Sequence, residues 1–241
     1  MKISYKKINP GGNITALVFE PVDIDRRGQV EKDIRADDST IEQVGFVVPV
    51  RDAANDARLE MAGGELCGNA LRCLAYELWR RRGGKGRTEF IIETLGVSEP
   101  ILTAATKGYA EVALSLRTIS ITDMLDGKLV RLPGIVQLVL KRAVTQSQAQ
   151  EMFEVNGLRG ESAAGVISIT QARDRLQIRP LIWVRDTDTW YNETACASGT
   201  MAAAFSWGLT KGEYIEVVQP SGAIFFVREY QGRLILGGPI W

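Results

Sequence analysis

Apolar and polar residues alternate along NITALVFE (13–20), QVGFVVPV (43–50), ARLEMA (57–62) and TEFIIET (88–94). That period of two predicts half-buried strands, and GYAEVALSL (108–116) adds another. Beyond residue 67 the spacing turns helical. Leu71, Leu74, Ala75 and Leu78 form one stripe of a helix predicted over 68–82. Arg80, Arg81 and Arg82 suit the negative end of its dipole, and Gly83-Gly84 stops it. A second helix, predicted over 198–211, is apolar on nearly every face: Met201, Ala202, Ala203, Ala204, Phe205, Trp207 and Leu209. A helix of that kind belongs inside a sheet rather than on a surface.

The second half repeats the order of the first. LPGIVQLVL (132–140) answers NPGGNITALV (9–18), and ESAAGVISI (161–169) answers EQVGFVVPV (42–50). RLQIRPLIWV (175–184) answers ARLEMA, each running towards a cysteine. QPSGAIFFV (219–227) answers ETLGVSEPIL (93–102), and GRLILGG (232–238) answers the 108–116 strand. The order predicts an α+β protein of two similar lobes, 1–118 and 119–241, carrying Cys67 and Cys196 respectively. The boundary falls in the polar stretch 118–128, which ends in an Asp-Gly turn signal. The last strand is a candidate to pack on the first lobe.

Composition narrows the chemistry. Lysine plus arginine and aspartate plus glutamate number 29 each, so no net charge favours nucleic acid or an anionic membrane. No leader-like start and no run of 18 apolar residues is present, which reads as a soluble, non-secreted, cytoplasmic protein. Three cysteines are too few for a disulfide scaffold and suit a reducing compartment. Histidine is absent, which removes the usual general base and the commonest metal ligand. Cys67 and Cys73 do not have zinc spacing, so no metal is expected. Acid–base chemistry must rest on carboxylates, thiols, tyrosines or lysines.

Two cysteines stand where helices begin: Cys67 in GELCGNA (64–70) and Cys196 in ACASGT (195–200). In a chain of two equivalent lobes these positions meet across the interface. Helix starts offer unpaired N–H groups and the positive dipole end. That setting predicts lowered thiol pKa values. It also predicts a clamp for a carboxylate, made by the amides of Gly68, Asn69, Gly199 and Thr200. An amino acid held there by its α-carboxylate has its Cα between two sulfurs. One thiolate removes the α-proton and the opposing thiol protonates the other face, inverting the centre. Charge developing on the carboxylate meets the amides. Cys73, inside the first helix and without a counterpart, is assigned to the core.

ELCGNALRC, ACASGT, NPGGN and QPSG together resemble the cofactor-independent diaminopimelate epimerase-like superfamily across essentially the whole chain. The resemblance implies two pseudo-symmetric domains, each a curved mixed sheet wrapped around a central helix, with the active site between them. It implies Cys67 and Cys196 as the proton-transfer thiols, with Asn13 and Asn69 binding substrate. The amides around Gly68 and over Ser198, Gly199 and Thr200 would then hold the α-carboxylate. No cofactor is implied, the partner is a small amino acid, and homodimers are common in the superfamily.

Departures from diaminopimelate epimerases are informative. Their Asn-Pro-His element is replaced by Leu132-Pro133-Gly134, and the asparagine that reads the distal substrate head by Glu60-Met61-Ala62. Their Glu-Arg-Gly gives way to Trp190-Tyr191-Asn192-Glu193, and the chain ends early at GGPIW. INPGGNITALV, EQVGF, the Met61–Asn69 run and RPLIWV are more similar to the histidine racemases of opine-type metallophore biosynthesis. That similarity implies Glu42 near the site; Glu193 is a second candidate carboxylate, and Trp183, Trp190 and Tyr191 are candidates to wall a flat side-chain pocket. The alternatives are an epimerase of diaminopimelate or a proline derivative, a thiol redox protein, and a non-catalytic amino-acid sensor.

Overall fold

Each lobe winds its strands around one buried helix, as seen in a computed structural model that describes residues 3–241 apart from the side chain of Thr187. The first lobe runs β1 (Tyr5–Ile8), β2 (Thr15–Val18), α1 (Arg27–Asp37), β3 (Gln43–Val48), β4 (Ala57–Met61), α2 (Gly68–Arg81), β5 (Thr88–Thr94), β6 (Ile101–Thr106) and β7 (Tyr109–Ser115). Its neighbours pair antiparallel, parallel, antiparallel, parallel, antiparallel and antiparallel in that order. The two parallel steps β2–β3 and β4–β5 are the ones bridged by helices, as parallel pairing requires.

The second lobe begins with β8 (Ser120–Asp123), which edges β9 (Lys128–Leu132). It continues through β10 (Ile135–Leu140), α3 (Gln146–Val155), β11 (Ala163–Ala172), β12 (Arg175–Val184), β13 (Thr189–Asn192), α4 (Ala197–Trp207), β14 (Tyr214–Val218), β15 (Ile224–Tyr230) and β16 (Arg233–Pro239). From β9 to β16, leaving out β13, the pairings repeat those of β1 to β7. β13 lies along the end of β12. The first strands of the two lobes stand at opposite ends of the strand order and the last ones touch: β7 and β16 pair antiparallel along Tyr109–Ser115, joining both halves into one sheet.

The α2 and α4 helices are the axles of the two lobes. α4 is buried along nearly its whole length, as its apolar surface predicts, and stops at Gly208 with φ 104°. α2 is buried more fully than its four-residue stripe suggests, because Arg72, Cys73 and Trp79 also face inward. The Arg72 guanidinium is wholly enclosed. It donates to the carbonyls of Pro10, Ala110 and Pro239 and to Asn69 Oδ1, and stacks over Phe225, so it ties α2 to both lobes.

Several expectations shift. The strand expected over 13–20 starts at Thr15, since Asn13 turns the chain at φ 55°. The helix expected from 198 begins at Ala197 and ends four residues before 211, at Trp207. α1 and α3 were not anticipated; each covers the outer face of its sheet. Among the described residues no helix is long and apolar enough to cross a membrane.

Candidate functional site

The chain leaves β4 and enters α2 through a Gly63-Gly64 bend, and the N-cap of α2 is Cys67. Its sulfur accepts the N–H of Ala70 at 3.3 Å, taking the place usually held by a serine or aspartate oxygen. Cys196 caps α4 in the same way, its sulfur accepting from Gly199 at 3.2 Å. The two helix starts abut so closely that a Cβ on Gly68 would lie 2.8 Å from that of Ala197. Both cysteines line one cavity of about 240 Å³ between the lobes.

With the third amide of each helix bonded to sulfur and the fourth to the cysteine carbonyl, the first two remain. The N–H groups of Gly68 and Asn69, and of Ala197 and Ser198, have no acceptor among the described residues. This corrects the expected clamp. Gly199 gives its amide to Cys196 Sγ. Thr200 is fully buried, gives its amide and hydroxyl to the Cys196 carbonyl, and receives Gln219. Neither Gly199 nor Thr200 lines the cavity. Ser198 does, its hydroxyl 3.5 Å from Cys196 Sγ and held by Gln137.

Asn69 and Asn13 both reach the opposite lobe. Asn69 spends its side chain between Arg72 and the Ala195 carbonyl, so it fixes the Cys196 loop and leaves only its amide to a ligand. Asn13 donates to Ala195 O and to Glu193 Oε1, and its own Oδ1 is buried without a partner among the described residues. Glu193 stands against the Cys196 thiol and accepts from Gln43 at 3.0 Å. Gln43 in turn accepts the Cys67 thiol at 2.7 Å. Glu193 and Gln43 therefore connect the two sulfurs. Glu42 lines the cavity too, its carboxylate bonded to the Thr194 hydroxyl and amide.

The electrostatics differ from expectation. Burial, and then the charge of Glu193, push both thiols well above their ordinary range; the amides of Ala70 and Gly199 offset this only in part. Burial also raises Glu193 to about 7, against its bonds to Cys196 and Asn13, and the charges of Glu42 and Glu65 add to the rise. The helix starts thus do not bring the thiols below their ordinary range. Cys73 is fully enclosed in the core beside Thr15 and is pushed up to about 12.

A family profile described as the histidine racemase CntK N-terminal domain matches residues 2–236, both lobes together. The chain belongs to the histidine racemase family. Relatives of that name share 28% identity over 257 residues in Fusobacterium nucleatum, covering 99% of this chain and 94% of the relative. In Staphylococcus aureus the figure is 26%, covering 92% and 87%. Solved structures with the same fold include a protein described as a predicted epimerase from Pseudomonas aeruginosa. Its TM-score is 0.70 at 15% identity, covering 99% of this chain and 96% of that one. A PhzF-family phenazine biosynthesis protein from Enterococcus faecalis scores 0.60 at 12%, covering 98% and 95%.

Of the aromatic residues expected to wall the pocket of this histidine racemase family member, Trp190 and Tyr191 line it. Trp183 does not. Its neighbours Ile182 and Val184 on β12 face the cavity, so the strand period turns Trp183 outward against Phe153, with its indole N–H on Asp188. Gln43, Glu65, Glu31, Arg35 and Ala197 also line the cavity, and none of them was expected from the sequence. The first two lie inside the motifs singled out there, beside Glu42 and two residues before Cys67; Arg35 stacks over Tyr191 from α1. Among the described residues no cluster of histidine, cysteine, aspartate and glutamate could hold a metal ion.

Proposed function

We propose that the chain interconverts L- and D-histidine by proton transfer at Cα between Cys67 and Cys196. One observation carries this reading: two cysteine N-caps face one cavity from two abutting helix starts. The α-carboxylate sits against the four unbonded amides of Gly68, Asn69, Ala197 and Ser198, at the positive ends of both helices. The α-ammonium points to the unpartnered Asn13 Oδ1 and to Glu193.

In one direction the Cys67 thiolate takes the α-proton, and the C–H electron pair moves into the carboxylate as an enediolate. Amides already aimed at those oxygens stabilise it; a preorganised donor of this type contributes about 3 kcal/mol. The Cys196 S–H then protonates Cα on the other face, leaving Cys196 ionised and the configuration inverted. The reverse direction exchanges the roles. Burial holds both sulfurs as thiols before substrate arrives; Glu193, near 7 and in contact with Cys196, takes the Cys196 proton in the direction where Cys196 is the base, and the Cys67 thiolate left when Cys67 has protonated Cα serves as the base of the opposite direction. Free thiols suit a reducing cytoplasm as the place of reaction.

L-Histidine and a panel of other L-amino acids, incubated with the protein in heavy water, test the reading. α-Deuteration accompanied by the D-enantiomer is the expected result for histidine. Binding without exchange would make the protein a sensor, and exchange restricted to another amino acid would move the substrate assignment while keeping the chemistry.

A further inference from the structure

Among the described residues four carboxylates line the cavity, Glu31, Glu42, Glu65 and Glu193, against a single cation, Arg35. Three of them are engaged. Glu42 holds Thr194, Glu193 holds Asn13 and Gln43, and Glu31 lies 3.7 Å from Arg35. Glu65 differs. Its Oε2 is buried and has no partner among the described residues. The oxygen lies over bare backbone, since a Cβ on Gly63 would come within 2.7 Å of it and 2.9 Å of Val184 Cγ1. A buried carboxylate oxygen left unbonded is costly unless a ligand completes it.

We infer that Glu65 reads the substrate's side chain, its free oxygen accepting an N–H from a cationic or ring-nitrogen group. This rests on the proposed function for the seat of the α-carboxylate, and it names a residue that selects the side chain. Glu65 sits among Gly63, Val184, Glu31 and Asp186, a different set from Asn13, Gln43 and Cys196 around Glu193. The two groups give the cavity two separate anionic points. An α-ammonium meets one, and a donor further along the side chain meets the other. Burial raises Glu65 to about 7; the backbone amides of Glu65 and Gly63 offset this only in part, and the charges of Glu31 and Asp186 add to the rise. An aliphatic or phenyl side chain would leave the oxygen unpaired, and sites built to bond a substrate N–H reject analogues lacking one.

The test compares wild type, E65A and the near-isosteric E65Q on L-histidine, L-phenylalanine and L-leucine in heavy water. It reads kcat and KM for α-deuteration, with calorimetric binding of L-histidine alongside. The expected outcome is a rise of at least about tenfold in KM and Kd for histidine, with kcat changed much less. The histidine-to-phenylalanine ratio of kcat/KM should fall by a similar factor. An unchanged ratio, or a loss confined to kcat with KM and Kd intact, overturns the inference. Should E65A fail to fold, E65Q carries the same readouts. Absence of histidine exchange in the wild type would sink the proposed function instead, and the ratio would then be read on whichever amino acids do exchange.

Discussion

A sulfur is a weaker hydrogen-bond acceptor than the oxygen of serine, threonine or aspartate, the residues that ordinarily cap helices. Placing cysteine at both N-caps therefore gives up some helix stability at the two points where α2 and α4 meet the cavity. Serine reverses that exchange. C67S and C196S should fold with melting temperatures equal to or slightly above wild type, because a hydroxyl caps as well or better. Each should lose racemisation by about a thousandfold, since a hydroxyl is too weak an acid–base group to replace a thiol. Because each leaves one base intact, α-deuteration should survive for one enantiomer only, and for opposite enantiomers in the two variants. Exchange of both enantiomers by either variant would count against a two-base reaction. Cys73→Ser should keep activity within a few-fold, because Thr15, which already bonds the thiol, can bond the hydroxyl. The placement of both cysteines at helix starts was legible because caps and thiols are local features. Glu65 and Gln43 were not, because no periodicity tells which way a loop carboxylate or a strand-start amide points.

Helix register decides which amides a ligand meets. The small polar run Ser198-Gly199-Thr200 looks like capping chemistry, and it drew the expected clamp two residues too far along α4. The cap is Cys196, so the unbonded amides belong to its first two followers whatever their side chains. α1 escaped reading for a related reason. Only Arg27, Val30 and Ile34 are buried on it, too thin a stripe to stand out, and Arg27 is buried because it pairs with Glu60. The closeness of the two helix starts is itself testable. A methyl on Gly68 must displace Ala197, whose Cβ lies 2.8 Å from the added atom. G68A should fold normally and retain histidine binding. Its kcat should fall by about ten- to a hundredfold, as expected when reacting groups move by a fraction of an ångström to one. Unaltered kcat in a well-folded G68A would show that the spacing of α2 and α4 does not set the geometry of proton transfer.

Two copies of one winding meet along β7 and β16 and leave their least compensated charges in the crevice between them. The repeat was legible in the sequence because matched strands and turns recur in matched order; the crevice's charge imbalance was not, because Glu31 and Arg35 reach it from a helix the pattern did not reveal. The imbalance has a sign that can be followed with pH. Glu65 rises from an ordinary 4.5 to about 7, so the folded protein binds its proton more tightly than the unfolded chain does. Its contribution to stability is complete below about pH 4.5 and is lost as pH rises through about 7. Glu193 behaves alike, while the two thiols ionise above this window. E65Q cannot ionise. It should therefore lie within about 1 kcal/mol of wild type near pH 5 and exceed it by more near pH 8. The gap should reach at most about 3 kcal/mol, because each tenfold difference in proton affinity between folded and unfolded chain is worth about 1.4 kcal/mol. Urea titrations of both proteins at the two pH values measure the difference. A stability gap that is the same at pH 5 and pH 8 would mean Glu65 is not an uncompensated charge held ready for a positive ligand. A gap that opens with pH and closes on adding histidine to the wild type would show the fold giving up stability at the point where its substrate restores it.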